Sequence, residues 1–238
     1  MNSRPEILLK TENDLRVMPH LHHYDIQRAR FSWDEARGEL AGLPGGAINI
    51  AHEAVDKHLA QHTREHVALR WIGKRGEKRD IRYNELAQLT NRFANVLREL
   101  GVAKGDRLFI LCGRIPELYI AALGALKSGT VVSPLFSAFG PEPLKTRLAI
   151  GEGKVLVTTE TLYKRKVASI RDQLPALQYV LLVNENGNPT AVPGTLDLAQ
   201  LMADVPDTFT VEATRPEDPA LLHFTSGTTG TPKGALHV

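Results

Sequence analysis

The chain is predicted to fold as an α/β domain, a mostly parallel sheet with helices on both faces. Three observations predict this. From Arg107 onward, short apolar runs alternate with helical patterns, the signature of βαβ units. The runs RLFILC (107–112), KVLVTT (154–159) and YVLLV (179–183) are apolar without alternation, as strands covered on both faces must be. With 238 residues, 42% hydrophobic and 24% charged, the chain is large enough to bury about 70–75% of its unfolded surface.

The elements follow in order. Residues 20–34, HLHHYDIQRARFSWD, have no sustained period, and GLPGG (42–46) is a breaker cluster. Residues 1–45 are therefore expected to be an irregular N-terminal segment lying on the body of the domain. Periodicity begins at Asn49, a candidate N-cap for a helix with Ile50, Ala54, Val55 and Leu59 near helical spacing. VALRWI (67–72), a turn at 73–76 and DIRY (80–83) read as a hairpin. The clearest helix comes next. Leu86, Leu89, Phe93, Val96, Leu97 and Leu100 mark one face, Asn84 is its candidate cap, and Gly101 lies just past its end.

After the strand at 107–112, Pro116 opens a helix over 116–127, where its missing N–H costs no hydrogen bond. TVVSPL (130–135) reads as a strand, PEPLKTRLA (141–149) as a helix and 154–159 as a strand. LYKRKVASIRDQL (162–174) reads as a helix and 179–183 as a strand. Residues 184–219 hold seven acidic residues against Arg215 alone, and five prolines. They read as a surface connector around a short helix at 196–203, not as core. A last strand, ALLHF (220–224), runs into a glycine and hydroxyl cluster.

Composition excludes several function classes. A net charge of +2 is too small for general nucleic-acid binding, which needs a clustered basic excess. The single cysteine, Cys112, rules out an internal disulfide or a Cys-rich zinc site. It follows an apolar strand and reads as a small core residue. The longest apolar stretch, Leu118 to Leu126, falls short of the ~20 residues a spanning helix needs. The N-terminus lacks the apolar block of a secretory signal. A soluble cytoplasmic protein is the expectation.

The strongest chemical signal is LLHFTSGTTGTPKGALHV (221–238). Glycines let backbone N–H groups approach an anion, hydroxyls add donors, and Lys233 adds a mobile positive charge. Such a set suits a triphosphate; a flexible Gly/Thr hairpin turn is the plainer reading. It is not a Walker A loop, because Pro232 and Gly234 stand where that motif needs glycine and a hydroxyl. His58, His62 and His66 are spaced at i, i+4 and i+8, yet no accompanying carboxylate pattern supports a metal site. The same holds for His20, His22 and His23. No metal ligand is assigned. Lys74, Arg75, Lys78 and Arg79 flank a hairpin turn and read as solvated charge.

Read as an ordered string, TSGTTGTPKG matches position for position the phosphate-loop signature T-S-G-[ST]-T-G-x-P-K-G of the adenylate-forming, or AMP-binding, enzymes. FSAFGPEPLKTR (136–147), INIAHEAVDKH (48–58) and GDRLFILCGRIPELYIAALGALKSG (105–129) are similar to segments of the AMP-forming acetyl-CoA synthetase branch. The resemblance covers roughly residues 45–238. It implies that Thr225, Ser226, Gly227, Thr228, Thr229 and Gly230 surround the β- and γ-phosphates of ATP, with Lys233 as the catalytic cation. Lys164, Arg165 and Lys166 fall where some relatives carry arginines that meet CoA phosphates; a solvated helix face is the favoured alternative.

The implied reaction activates a short-chain carboxylate with ATP and Mg2+ to acyl-AMP and pyrophosphate, then transfers the acyl group to CoA. On this resemblance residues 46–238 are an incomplete N-terminal AMP-binding domain ending just after the phosphate loop. The family's later adenine, ribose and C-terminal catalytic parts have no counterpart, so these residues alone are expected to be inactive and to self-associate through an exposed sheet edge. The rival readings are another acyl-activating ligase and a non-catalytic nucleotide-binding or interaction fragment.

Overall fold

The computed structural model describes residues 11–60, 62–185, 187–225 and 230–238. The chain divides into two compact units, Met1–Ala41 and Gly42–Val238. The first was expected to be irregular and instead carries two short helices, α1 (Tyr24–Arg30) and α2 (Trp33–Gly38). Ser32 caps α2 by accepting a hydrogen bond from Glu35 N–H at 3.1 Å. The string Ser-x-x-Glu ahead of a helix is a capping-box pattern that a search for apolar periodicity passes over. Neither helix buries a residue, and that explains the missing period.

In the second unit Asn49 caps α3 (Ile50–Ala54), its side-chain oxygen accepting from Ala51 N–H at 2.9 Å and His52 N–H at 3.3 Å. Tighter 3-10 turns at Asp56–Ala60 and His62–Glu65 continue the chain. Strands β1 (Val67–Ile72) and β2 (Lys78–Arg82) pair antiparallel as the expected hairpin. Helix α4 (Tyr83–Glu99) starts two residues earlier than one capped by Asn84 would, and Arg82 holds the cap position. Asn84 donates instead to the Glu65 carboxylate at 2.9 Å. Gly101, at φ +67°, ends α4. Val102 N–H bonds to Leu97 O and Gly101 N–H to Arg98 O, the paired bonds of a left-handed helix stop.

The remaining elements are β3 (Arg107–Leu111), α5 (Pro116–Lys127), β4 (Val131–Pro134), α6 (Pro141–Ile150) and β5 (Val155–Thr159). They continue as α7 (Glu160–Leu162), β6 (Tyr179–Val183), β7 (Leu196–Asp197), α8 (Leu198–Ala203), β8 (Leu221–Thr225) and β9 (Lys233–His237). Among the described residues the main sheet has the order β7-β6-β5-β3-β4-β8-β9. Every neighbouring pair is parallel except β8 and β9. The mostly parallel α/β class is as predicted.

Strand side chains alternate between two cores. Leu108, Ile110, Val155, Val157, Leu181 and Val183 face the layer of α4, α5 and α8. Phe109, Leu111, Leu156, Val180 and Leu182 face α6 and the segment 163–174. The runs Leu108–Leu111 and Val180–Val183 are apolar throughout because both of their faces are covered.

Two further expectations need correction, and one element was not expected. The predicted helix at 162–174 is broken: a wide π turn spans Tyr163–Val167 and a 3-10 helix spans Ala168–Gln173. The change of winding keeps Tyr163, Val167 and Ile170 buried in the same core. The connector 184–219 is not purely superficial, since Leu198 and Val205 are buried in the core under α4. Strand β9 was not foreseen. All its residues are exposed, so no alternation betrays it.

Candidate functional site

Strand β8 delivers the glycine and hydroxyl cluster to the carboxyl edge of the sheet, where α/β folds bind ligands. In the register of β8 with β9, Thr225 lies opposite Lys233. Directly opposed residues share a face, with Cβ atoms about 5 Å apart. Thr225 and Lys233 therefore share a face where β8 ends and β9 begins. Both are exposed, and Lys233 pairs with no carboxylate among the described residues. Gly230 has φ +85°, a conformation only glycine adopts without strain. Ser226, Gly227, Thr228 and Thr229 lie outside the described residues. Strands β8 and β9 pair antiparallel as the plain hairpin reading has it, and the candidate phosphate residues lie between them in sequence.

Beside it, the chain leaving β4 runs through Phe136 and Phe139, whose rings meet edge to face at 5.6 Å. The Arg147 guanidinium lies 4.2 Å from the Phe139 ring. Lys166, expected near CoA phosphates, turns instead toward this loop and donates to Ser137 O at 2.5 Å and Phe139 O at 2.7 Å. Lys164 pairs with Glu160. That hydrogen bond, with a second from Thr190, holds the Glu160 carboxyl below the usual carboxylate range. Arg165 is exposed and pairs with no described residue. The basic run follows β5 and the turn follows β8, so both lie on the carboxyl rim. Three strand spacings separate β5 from β8, about 14 Å.

The other candidates fall elsewhere. Cys112 is buried, and desolvation pushes its thiol up to about 12, so it is no nucleophile at neutral pH. The His58 ring stacks near Tyr83 at 4.4 Å, and His62 meets His66 at 6.0 Å. Among the described residues no group of three or more His, Cys, Asp or Glu side chains converges on a point. The turn itself offers only hydroxyls, glycines and one lysine, a donor set that suits phosphate oxygens and gives a divalent cation no carboxylate. Arg75 and Arg79 are tied by surface ion pairs to Glu77 and to Glu85 and Glu117. A cavity of about 520 Å³ opens between α4, α5 and α8 near Val183, away from the turn.

Sequence reading missed two polar residues. Lys127 is wholly buried, with its ammonium on Asp56 and Asn91 at 2.7 Å each. Ser133, also wholly buried, bridges β4 to β8 by donating to Leu222 O at 2.8 Å. The signal for the first was a lysine closing an otherwise apolar helix; for the second it was a proline inside an apolar strand.

Comparison with known proteins completes the description. Residues 55–238 match the AMP-binding enzyme family. Acetyl-coenzyme A synthetase of Bacillus subtilis is 39% identical over 222 residues, which cover 92% of this chain and 37% of that protein. The 3-hydroxypropionyl-coenzyme A synthetase of Sulfurisphaera tokodaii is 32% identical over 266 residues, covering 96% of this chain and 39% of that protein. The crystal structure of Brucella canis acyl-CoA synthetase superposes with a TM-score of 0.78 at 28% identity, over 90% of this chain and 37% of that one. The chain thus spans nearly two fifths of the length of these curated relatives.

Proposed function

The chain belongs to the AMP-binding enzyme family, and on that premise we propose that it forms the phosphate-gripping part of an acyl-CoA synthetase for short-chain carboxylates. The observation that carries the reading is the pairing of Thr225 with Lys233 at the mouth of a glycine and hydroxyl turn on the carboxyl edge of a parallel sheet. ATP enters as its magnesium complex. The turn from Thr225 to Gly230 surrounds the β- and γ-phosphates, and Lys233 neutralises them. A substrate carboxylate oxygen attacks the α-phosphorus, an acyl–O–P bond forms, and the bond to the β-phosphate oxygen breaks. Negative charge grows on the departing pyrophosphate. Donors fixed there stabilise the transition state more than the bound substrate. The CoA sulfur then attacks the acyl carbon and AMP leaves.

In this reading Arg165 and Lys164 face the CoA phosphates, whereas Lys166 holds the Phe136–Phe139 loop through its two carbonyl contacts. Acetate is the first acid to test. The likeness to the 3-hydroxypropionyl-coenzyme A synthetase makes 3-hydroxypropionate the second. The deciding measurement is carboxylate-dependent exchange of pyrophosphate into ATP. It is run on the 238-residue chain and on a polypeptide extended to the relatives' length. Exchange is expected from the longer polypeptide and not from the 238 residues alone. No exchange with either acid in the longer polypeptide overturns the reading.

A further inference from the structure

The parallel ladder between β4 and β8 stops where its next bond is due. Val132 N–H donates to Ala220 O at 2.9 Å, and the strands share the single register Val132↔Leu221. Donors of a parallel strand that face one neighbour come from alternate residues. Accordingly Val131 N–H and Leu135 N–H point the other way, to Asp106 O and Ile110 O at 2.8 Å each. The next donor toward β8 belongs to residue 134, and the acceptor waiting for it is Leu222 O. Residue 134 is a proline and has no N–H. The carbonyl is taken instead by the Ser133 hydroxyl at 2.8 Å, from a side chain with no exposed surface.

We propose that Ser133 is a positioning residue for the phosphate-binding turn. Its hydroxyl replaces the ladder bond that Pro134 withholds and anchors β8 three residues before Thr225. The same proline ends β4–β8 pairing at that level, so beyond it the chain through Phe136 and the chain through Thr225 share no register position. A full ladder would carry the pairing of the two chains further toward the turn; no bond at all would leave the Leu222 carbonyl unpaired and β8 loosely held. The proposal rests on the synthetase reading for its ligand and on hydrogen bonding alone for its mechanics.

Three variants test it in the polypeptide extended to the relatives' length: Ser133→Ala, Ser133→Thr, and Ser133→Ala combined with Pro134→Ala, which returns an N–H to the ladder. Amide hydrogen exchange should quicken about tenfold in 221–225 and 233–237 of Ser133→Ala, with 107–111 and 155–159 unchanged. The KM for ATP should rise about tenfold while those for carboxylate and CoA hold. Ser133→Thr should restore both readouts, and the double variant should restore the exchange protection. Unchanged exchange in β8 and β9, uniform quickening of the whole sheet, or local quickening with an unmoved ATP KM would each overturn the proposal. A wild-type polypeptide without pyrophosphate exchange would defeat the synthetase reading instead, and the hydrogen-exchange pattern would then decide the anchoring role by itself.

Discussion

Strands β3, β5 and β6 pair through four and five successive register positions and bury almost every side chain. Strand β8 meets β4 at one register position, and β9, its other partner, buries nothing. The two regions carry different kinds of residue for different reasons. In the centre, apolar area removed from water sets the stability, so position matters less than volume. At the rim, individual hydrogen bonds and one exposed lysine set the geometry, so chemistry matters more than volume. Substitutions in the centre should melt the chain; those at the rim should alter ligand handling and leave the melt alone.

The largest expected effect tests the central half of that contrast. Phe93 is wholly buried where α4 faces α5, and Phe93→Ala should cost about 3–5 kcal/mol in urea unfolding. A loss under 1 kcal/mol would show that the centre does not hold the fold. Lys233→Ala tests the rim. In the polypeptide extended to the relatives' length it should slow adenylation about 10²–10³-fold, as loss of one oxyanion donor does, with the urea midpoint unchanged. A shifted midpoint with normal adenylation would reverse the assignment.

Gly124→Ala sharpens the picture of the centre. An added Cβ would sit 2.8 Å from both Thr90 O and the Phe93 Cβ and 2.9 Å from the Phe93 Cδ1, the one of the three that Phe93→Ala removes. The helices must separate, at about 1–3 kcal/mol, and Phe93→Ala should relieve part of that cost in the double variant.

The smallest effect is a pH dependence. The folded state raises the Cys112 thiol to about 12, so folded chains keep a proton that unfolded chains lose from about pH 8.5. Stability is unaffected below that pH and falls as pH rises toward 12, by about 1–2 kcal/mol at pH 10. Comparing urea midpoints of the wild type and Cys112→Ala at pH 7 and pH 10 checks the sign. A wild type that gains stability on Cys112→Ala at pH 7 but not at pH 10 would refute it.

The same contrast explains what was legible in the sequence. Central elements announce themselves because burial leaves a pattern: the unbroken runs at 107–111 and 179–183, Pro116 at a helix start, Gly101 at a helix stop, and Asn49 as a cap. Elements that bury nothing leave none, which is why α1, α2 and β9 went unseen. The break in winding at 163–173 keeps helix-like spacing of its apolar residues, so periodicity alone could not show it. At the candidate site, the string TSGTTGTPKG marked the loop, but the facing of Thr225 by Lys233 needed the register. Lys166 shows the opposite case. The family resemblance suggested a CoA contact beside the favoured solvated face, and only the folded chain shows it bound to two carbonyls of the 136–139 loop.

One clasp in the second unit also orders events in time. Ile48 pairs with Thr214, and the Asn49 amide donates to Leu126 O at 2.8 Å and Glu212 O at 3.2 Å. The Asn49–Glu212 bond spans 163 positions of sequence. During synthesis at about 5–20 residues per second, its second half emerges roughly ten to thirty seconds after its first. Through that interval the start of α3 has its own cap but not its mate, and β3, β4, β5 and β6 all emerge before Glu212 does. The segment around Asn49 is thus made early and fastened late, and synthesis sets the earliest moment at which it closes.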